Sequence, residues 1–332
     1  MEAYCAAQNA LVNVLEAKSG EKILIICDDK LKEIGSAFAH GASDIGLWTR
    51  LVVLETKKIR KDIPKHLSEI LSSQKPDIFI NLLVGKAEET PFRIKVIKME
   101  RRNRIRLGHC PGITLDMMES GALALTDSQY QKMQNFANHL QHKLMNAEKI
   151  NISSPSGTEL TLSVKNRDFF TDTQLNWKTL KWMNLPVGEV IVAPEESSLS
   201  GNLVCDTAIG GIGLLKNSLI IEAKEGKAVK IKSKNKSVLK RVKSALNTDS
   251  WSNTIGEFAF GINPSARVVN EFLETEKIKG TCHIAFGNNT EFPGGMNPSF
   301  NHMDFLIAKP TIDVVLGSKR KLRVVTSGKF NI

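Results

Sequence analysis

No stretch of this sequence approaches the roughly 18 unbroken apolar residues that a membrane span requires. The opening Met1-Glu-Ala-Tyr-Cys5 lacks the basic flank and apolar stretch of a secretory leader, so a cytosolic protein with no membrane association is expected. Cysteine is scarce: Cys5, Cys27, Cys110, Cys205 and Cys282 are five, an odd number, far apart and never in a CxxC pair. That argues against both a disulfide framework and a thiolate zinc cage. Aromatic residues make up only 6 % of the chain, with two tyrosines. The lysine-dense stretch 224–243 has no aromatic residue at all, although it carries Lys227, Lys230, Lys232, Lys234, Lys236, Lys240 and Lys243. Nucleic-acid surfaces combine such charge with stacking rings or a recognisable module. A solvated hairpin and helix face is the better reading, and nucleic acid is not an expected partner even though the net charge is +10.

What is present is ordinary for a soluble protein. The chain is 42 % hydrophobic and 24 % charged, which excludes disordered and collagen-like classes. At about 150 residues per domain, 332 residues suggest two units. Glu21-Lys-Ile-Leu-Ile-Ile-Cys-Asp28 has the form of a strand buried on both faces. Apolar strands at 49–54 and 76–84 alternate with helices at 34–42 and 66–72, which implies parallel βαβ units with right-handed crossovers. A basic helix at 91–102, a short strand at 104–107 and a long helix from 127 to about 148 follow. Near residue 150 the period changes. Residues 150–164 alternate around a Pro-Ser-Gly turn, as in a hairpin with one wet face. Similar runs recur at 187–192, 219–223, 228–231, 283–286 and 302–307, interrupted by a helix at 237–246. The expected architecture is an α/β domain with a parallel sheet over 1–149, followed by a mainly antiparallel β domain over 150–332 that holds the site.

Several features invite function without supporting it. Ile209-Gly-Gly-Ile-Gly213 fits neither phosphate-loop spacing and reads as a turn. Lys95, Lys98, Arg101, Arg102, Arg104 and Arg106 read as an exposed helix face and its exit. His40, His66, His109, His139 and His142 are scattered, without a carboxylate at ligand spacing.

The C-terminal third differs. His302-Met-Asp304 opens an apolar strand, so imidazole and carboxylate share one face. His283 begins another short strand between glycines, and the Pro293-Gly-Gly295 turn allows the two strands to be neighbours. Glu189 and Glu257 interrupt apolar strands, where a carboxylate costs several kcal/mol unless it is paired or bound to a cation. Asn184-Leu-Pro-Val-Gly-Glu-Val-Ile-Val-Ala-Pro194, Gly256-Glu-Phe-Ala-Phe-Gly-Ile-Asn-Pro264, Glu276-Lys-Ile-Lys-Gly-Thr-Cys-His-Ile-Ala-Phe-Gly287, Gly294-Gly-Met-Asn-Pro-Ser299 and His302-Met-Asp-Phe305 together resemble, in order, the motifs of the thermophilic aminopeptidase family, over about residues 180–310.

The resemblance implies a pair of divalent ions (zinc, cobalt or manganese), a peptide or small-amide substrate and a homodimer. It implies Glu189 as ligand of one ion, Glu257 as the bridge, and His283, His302 and Asp304 as the remaining ligands. Glu276, farther from its histidine than the family spacing, is either a further ligand or the carboxylate that moves the catalytic proton. The family's tyrosine seven residues after the ligand histidine is here Thr290. The ring-cleaving dihydroxypyridine dioxygenases look similar over the same region. They imply the alternative of one iron(II) on His283, His302 and Asp304. A non-catalytic metal- or nucleic-acid-binding protein is the third alternative.

Overall fold

In the computed structural model, residues 1–73, 75–84, 89, 92, 95–96, 105–176 and 182–332 are described. They form two units, one of Met1–Gln134 with Asp172–Val187 and one of Asn135–Thr171 with Gly188–Ile332.

The first unit is the expected α/β layer. Its five-stranded sheet has the order Trp48–Leu54, Lys22–Asp28, Ile78–Leu82, Arg106–His109 and Trp182–Asn184, and every neighbouring pair is parallel. Ile78–Leu82 and Arg106–His109 are buried along their whole length, as inner strands of a parallel sheet are, even though the second begins with Arg106 and ends with His109. Leu24, Ile26, Val52, Leu54, Phe79 and Leu107 pack into one core with Leu67 from the helix Lys65–Ser73. Burying each such side chain contributes about 1.5–3 kcal/mol. The first helix, Ala3–Asn13, was not expected; its interior face is alanine-rich and carries little periodic signal. The helix expected at 91–102 lies largely outside the described residues, as does Arg104 in the strand expected at 104–107. That strand is observed at Arg106–His109. The long helix ends earlier than expected, at Lys143. Asn146 adopts φ 65° and turns the chain into the strand Ala147–Ser153. His40 does have a carboxylate partner, Asp44, at 3.7 Å one turn along its helix, but the pair is exposed.

The second unit is antiparallel β. An eight-stranded sheet contains the expected hairpin, Ala147–Ser153 with Glu159–Ser163, and also Thr311–Leu316 and Lys321–Thr326, which the alternating runs did not reveal. The second sheet has seven strands, in the order Gly213–Leu214, Ala208–Ile209, His302–Ile307, Cys282–Gly287, Ile255–Gly261, Glu189–Val192 and Phe170–Thr171. Its central strands Ile255–Gly261 and Cys282–Gly287 are wholly buried. The Gly-Gly-Ile-Gly run is the turn between two paired strands, with Gly211 and Gly213 at positive φ.

Candidate metal centre

Strand period and register decide which side chains meet. Glu257 lies opposite Ala285, and Ala285 lies opposite Asp304. Gly287 lies opposite His302, and Gly261 opposite Glu189. Because side chains alternate, Glu189, Glu257, His283, His302 and Asp304 all fall on one face of the seven-stranded sheet. The other face carries Phe258, Phe260, Ile284, Phe286 and Phe305. Phe258 and Phe260 meet edge to face at 4.8 Å, as do Phe286 and Phe305 at 5.8 Å. A strand such as Gly256-Glu-Phe-Ala-Phe-Gly261 therefore alternates core and site rather than core and water.

Glu276 arrives from elsewhere. It ends the short helix Phe272–Thr275 and is followed by a segment laid along the end of the Ile255–Gly261 strand. The Asn263 amide donates to the Lys277 carbonyl at 2.9 Å, and Lys279 returns a bond to the Asn263 carbonyl at 3.2 Å. This close approach needs Gly261: a Cβ there would stand 2.2 Å from the Ile278 carbonyl oxygen and 2.9 Å from that of Glu276.

All six residues read from the sequence are thus brought together. His283 Nε2 is 3.2 Å from Glu257 Oε1 and 3.8 Å from Asp304 Oδ1. His302 Nε2 is 3.1 Å from Glu257 Oε2 and 3.2 Å from Asp304 Oδ1. His283 Nδ1 points at Glu189 Oε1, 3.5 Å away. Two donor trios result, Glu189–Glu276–His283 and Glu257–His302–Asp304, with ligand atoms within 4.8 Å of one another in each. His302 Nδ1 stands 2.8 Å from the Asn288 carbonyl, to which it donates. That bond places the Nδ1 proton and turns Nε2 toward the two carboxylates; once Nε2 gives up its own proton, its lone pair is directed as in metal-ligating histidines. The oxygen and imidazole donor chemistry, its burial and this orientation fit a divalent cation.

The electrostatics indicate a site short of positive charge. Burial pushes Glu276 up to about 8, with Lys277 opposing the shift and Glu189 and Asp304 adding to it. Burial would raise Glu257 too, but its bonds to His283 and His302 hold it far below the usual carboxylate range. For His302, burial disfavours the charged ring, yet Asp304 and Glu257 outweigh it and raise the group well above the imidazole value; His283 is raised by Glu257 in the same way. The site opens on the His302 side: that side chain is 33 % exposed, against 2 % for His283 and 5 % for Glu257.

Sequence reasoning missed Lys277, whose ammonium lies buried between Glu189 Oε2 and Glu276 Oε1, the latter at 3.0 Å. Its only signal was its place beside Glu276. Thr290, at the family's tyrosine position, is exposed and donates to Asn288 Oδ1. The Asn289 amide is held by the Gly256 carbonyl and Glu196. Thr290 and Asn289 therefore serve the loop that carries the Asn288 carbonyl.

The profile of the thermophilic metalloproteases (M29) matches residues 122–330. Among solved structures, AmpT from Thermus thermophilus aligns with a TM-score of 0.75 at 16 % identity, covering 100 % of this chain and 99 % of that one. A 2,5-dihydroxypyridine dioxygenase from Pseudomonas putida aligns with a TM-score of 0.69 at 14 % identity, covering 98 % and 96 %. At such identities the likeness is one of fold. The search of curated proteins returned no match.

Proposed function

We infer the activity from one premise: the chain belongs to the thermophilic metalloprotease (M29) family. It is a metal-dependent peptidase, and within that class we read it as an aminopeptidase that releases N-terminal residues from peptides. The observation that carries this reading is the convergence of three carboxylates and two imidazoles on one sheet face, joined by Glu276 from the segment beside it. The ion is of the zinc, cobalt or manganese class, which suits oxygen and imidazole donors. When bound it supplies an acidified water and a polarised carbonyl, the requirements of amide hydrolysis. Glu257, His302 and Asp304 would hold it, with His283 adjoining. The two-ion arrangement implied by the resemblance needs Glu189 as a ligand as well, and therefore the withdrawal of Lys277 from it.

The protein's own groups do the rest. Glu276, raised to about 8 by burial when no ion is bound, is the carboxylate placed to take a proton from the attacking water when ionised and to pass it to the leaving amine. Excess acid in the site suits the ammonium end of a peptide. Entry is from the His302 side.

The second reading, an iron(II) ring-cleaving dioxygenase, draws on the meeting of His283, His302 and Asp304. Glu257 argues against it, because it stands between the two histidines where a facial triad leaves positions open. Elemental analysis of protein purified without added salts, paired with release of amino acids from short peptides, tests the choice. Iron at one per chain with oxygen uptake on a dihydroxylated ring would replace the peptidase by the dioxygenase. Glu257→Ala is expected to strip the ion and abolish hydrolysis; unchanged metal content would contradict its role. The five cysteines are all unpaired and four are buried, which supports work in the reducing cytosol. A homodimer completes the proposal, and sedimentation velocity tests it.

A further inference from the structure

Two cations compete for the same carboxylates in this site, and one of them is a side chain. Lys277 is 2 % exposed, and its ammonium sits against Glu189 Oε2 and, at 3.0 Å, Glu276 Oε1. Both acids belong to one of the two donor trios. An ion bound there would face the ammonium as a like charge in a buried setting, where repulsion is least screened.

The trio Glu257, His302 and Asp304 remains for one ion, and His283 adjoins it through Nε2. Glu257 turns Oε1 to His283 Nε2 at 3.2 Å and Oε2 to His302 Nε2 at 3.1 Å, and Asp304 Oδ1 stands 3.2 Å from His302 Nε2 and 3.8 Å from His283 Nε2. Four ligands placed tetrahedrally at about 2.0–2.1 Å from zinc are about 3.3–3.4 Å apart. Both histidines present Nε2 to this set. Behind them, His302 Nδ1 is held by the Asn288 carbonyl at 2.8 Å, and His283 Nδ1 lies 3.5 Å from Glu189 Oε1, a charge contact longer than a hydrogen bond. A carboxylate or carbonyl behind a ligand imidazole is the usual outer support of a metal site. Glu189 thus has one oxygen on Lys277 and the other toward His283, the position of a support rather than a ligand.

We propose that this protein holds a single divalent ion on Glu257, His283, His302 and Asp304, and that the Lys277 ammonium is the built-in cation of the Glu189–Glu276 position. Glu189 then orients His283, and Glu276 remains off the ion and available for proton transfer. The inference rests on the metallopeptidase reading for the presence of an ion, and departs from it in the count.

The test titrates chelator-stripped protein with cobalt(II), following the visible absorption, and counts zinc per chain by elemental analysis after dialysis. The wild-type chain is expected to saturate at one equivalent, and Lys277→Met, checked for folding by circular dichroism, at two. Two equivalents in the wild type overturn the proposal, as does a folded Lys277→Met that still stops at one. If that variant does not fold, the wild-type end point decides. One ion without peptide release would defeat the aminopeptidase reading and leave this inference standing. Two ions with peptide release would do the reverse, and no ion at all would defeat both.

Discussion

At the scale of single residues, two acids were legible because they violated the chemistry of their surroundings, while His283, His302, Asp304 and above all Glu276 became legible through the order of the motifs that contain them. Glu189 and Glu257 interrupt apolar strands, and both are buried in the structure. Lys277 was not legible, because a lysine in a charged stretch is ordinarily a solvated one. Only the fold shows that its stem runs inward. Thr290 illustrates the opposite error, a position singled out by comparison whose side chain is occupied by its own turn. The division of labour between Glu257 and Glu276 yields a direct expectation. Glu276→Gln should retain the metal while lowering kcat by about 10²–10⁴, the usual worth of a general acid–base group. Glu276 accepts a proton only when ionised, so wild-type kcat should rise with pH on a limb set by a group near 8, moved lower by the charge of a bound ion. In the glutamine variant that limb should vanish. A pH–rate profile in which both enzymes rise in parallel would remove Glu276 from proton transfer.

At the scale of elements, the parallel strands of the first unit were legible as unbroken apolar runs, and the 150–164 hairpin as alternation about a turn. Strand Trp182–Asn184 was hidden because it joins the parallel sheet from far along the chain, beside Arg106–His109. Helix and strand ends were less legible than cores, since Asn146 stops a helix by backbone conformation rather than by composition. Two elements carry predictions. Gly261→Ala puts a methyl into the Ile278 carbonyl and lifts the segment bearing Glu276 and Lys277. Stability should fall by about 1–3 kcal/mol, the range of overpacking, and metal affinity should change with it. A variant with wild-type denaturation and affinity would show that the close approach is not needed. In the first unit, Asp28 at the end of its strand and Glu89 are buried and both bind Arg60, Asp28 at 2.5 Å. Arg60→Met removes the guanidinium that two buried carboxylates share and should cost about 3–5 kcal/mol in urea unfolding. Adding Asp28→Asn should recover part of that loss, as mere loss of packing around Arg60 would not.

At the scale of the whole molecule, metal, protons and stability are linked. Without an ion, His283 and His302 are raised above their ordinary value of 6.5, and Glu276 above 4.5 to about 8. Groups raised on folding bind protons more tightly in the native state. Their contribution is therefore complete below the unfolded values and is lost as pH rises through the folded ones. Stripped protein should thus lose stability from these groups from slightly acid to mildly alkaline pH. Binding requires the imidazoles neutral, so the ion displaces protons and its affinity rises over the same interval. The two trends add: the difference in Tm between metal-loaded and chelated protein should widen between pH 6 and pH 8.5. At a free ion concentration of 100 times Kd, linkage contributes about 2.7 kcal/mol. At about 2–4 °C per kcal/mol, that is a gap of about 5–11 °C. Calorimetry in two buffers of different ionisation enthalpy should register proton release on binding, larger at pH 6 than at pH 8.5. A Tm gap that narrows with pH, or binding without proton release, would mean that these imidazoles are not the groups the ion takes.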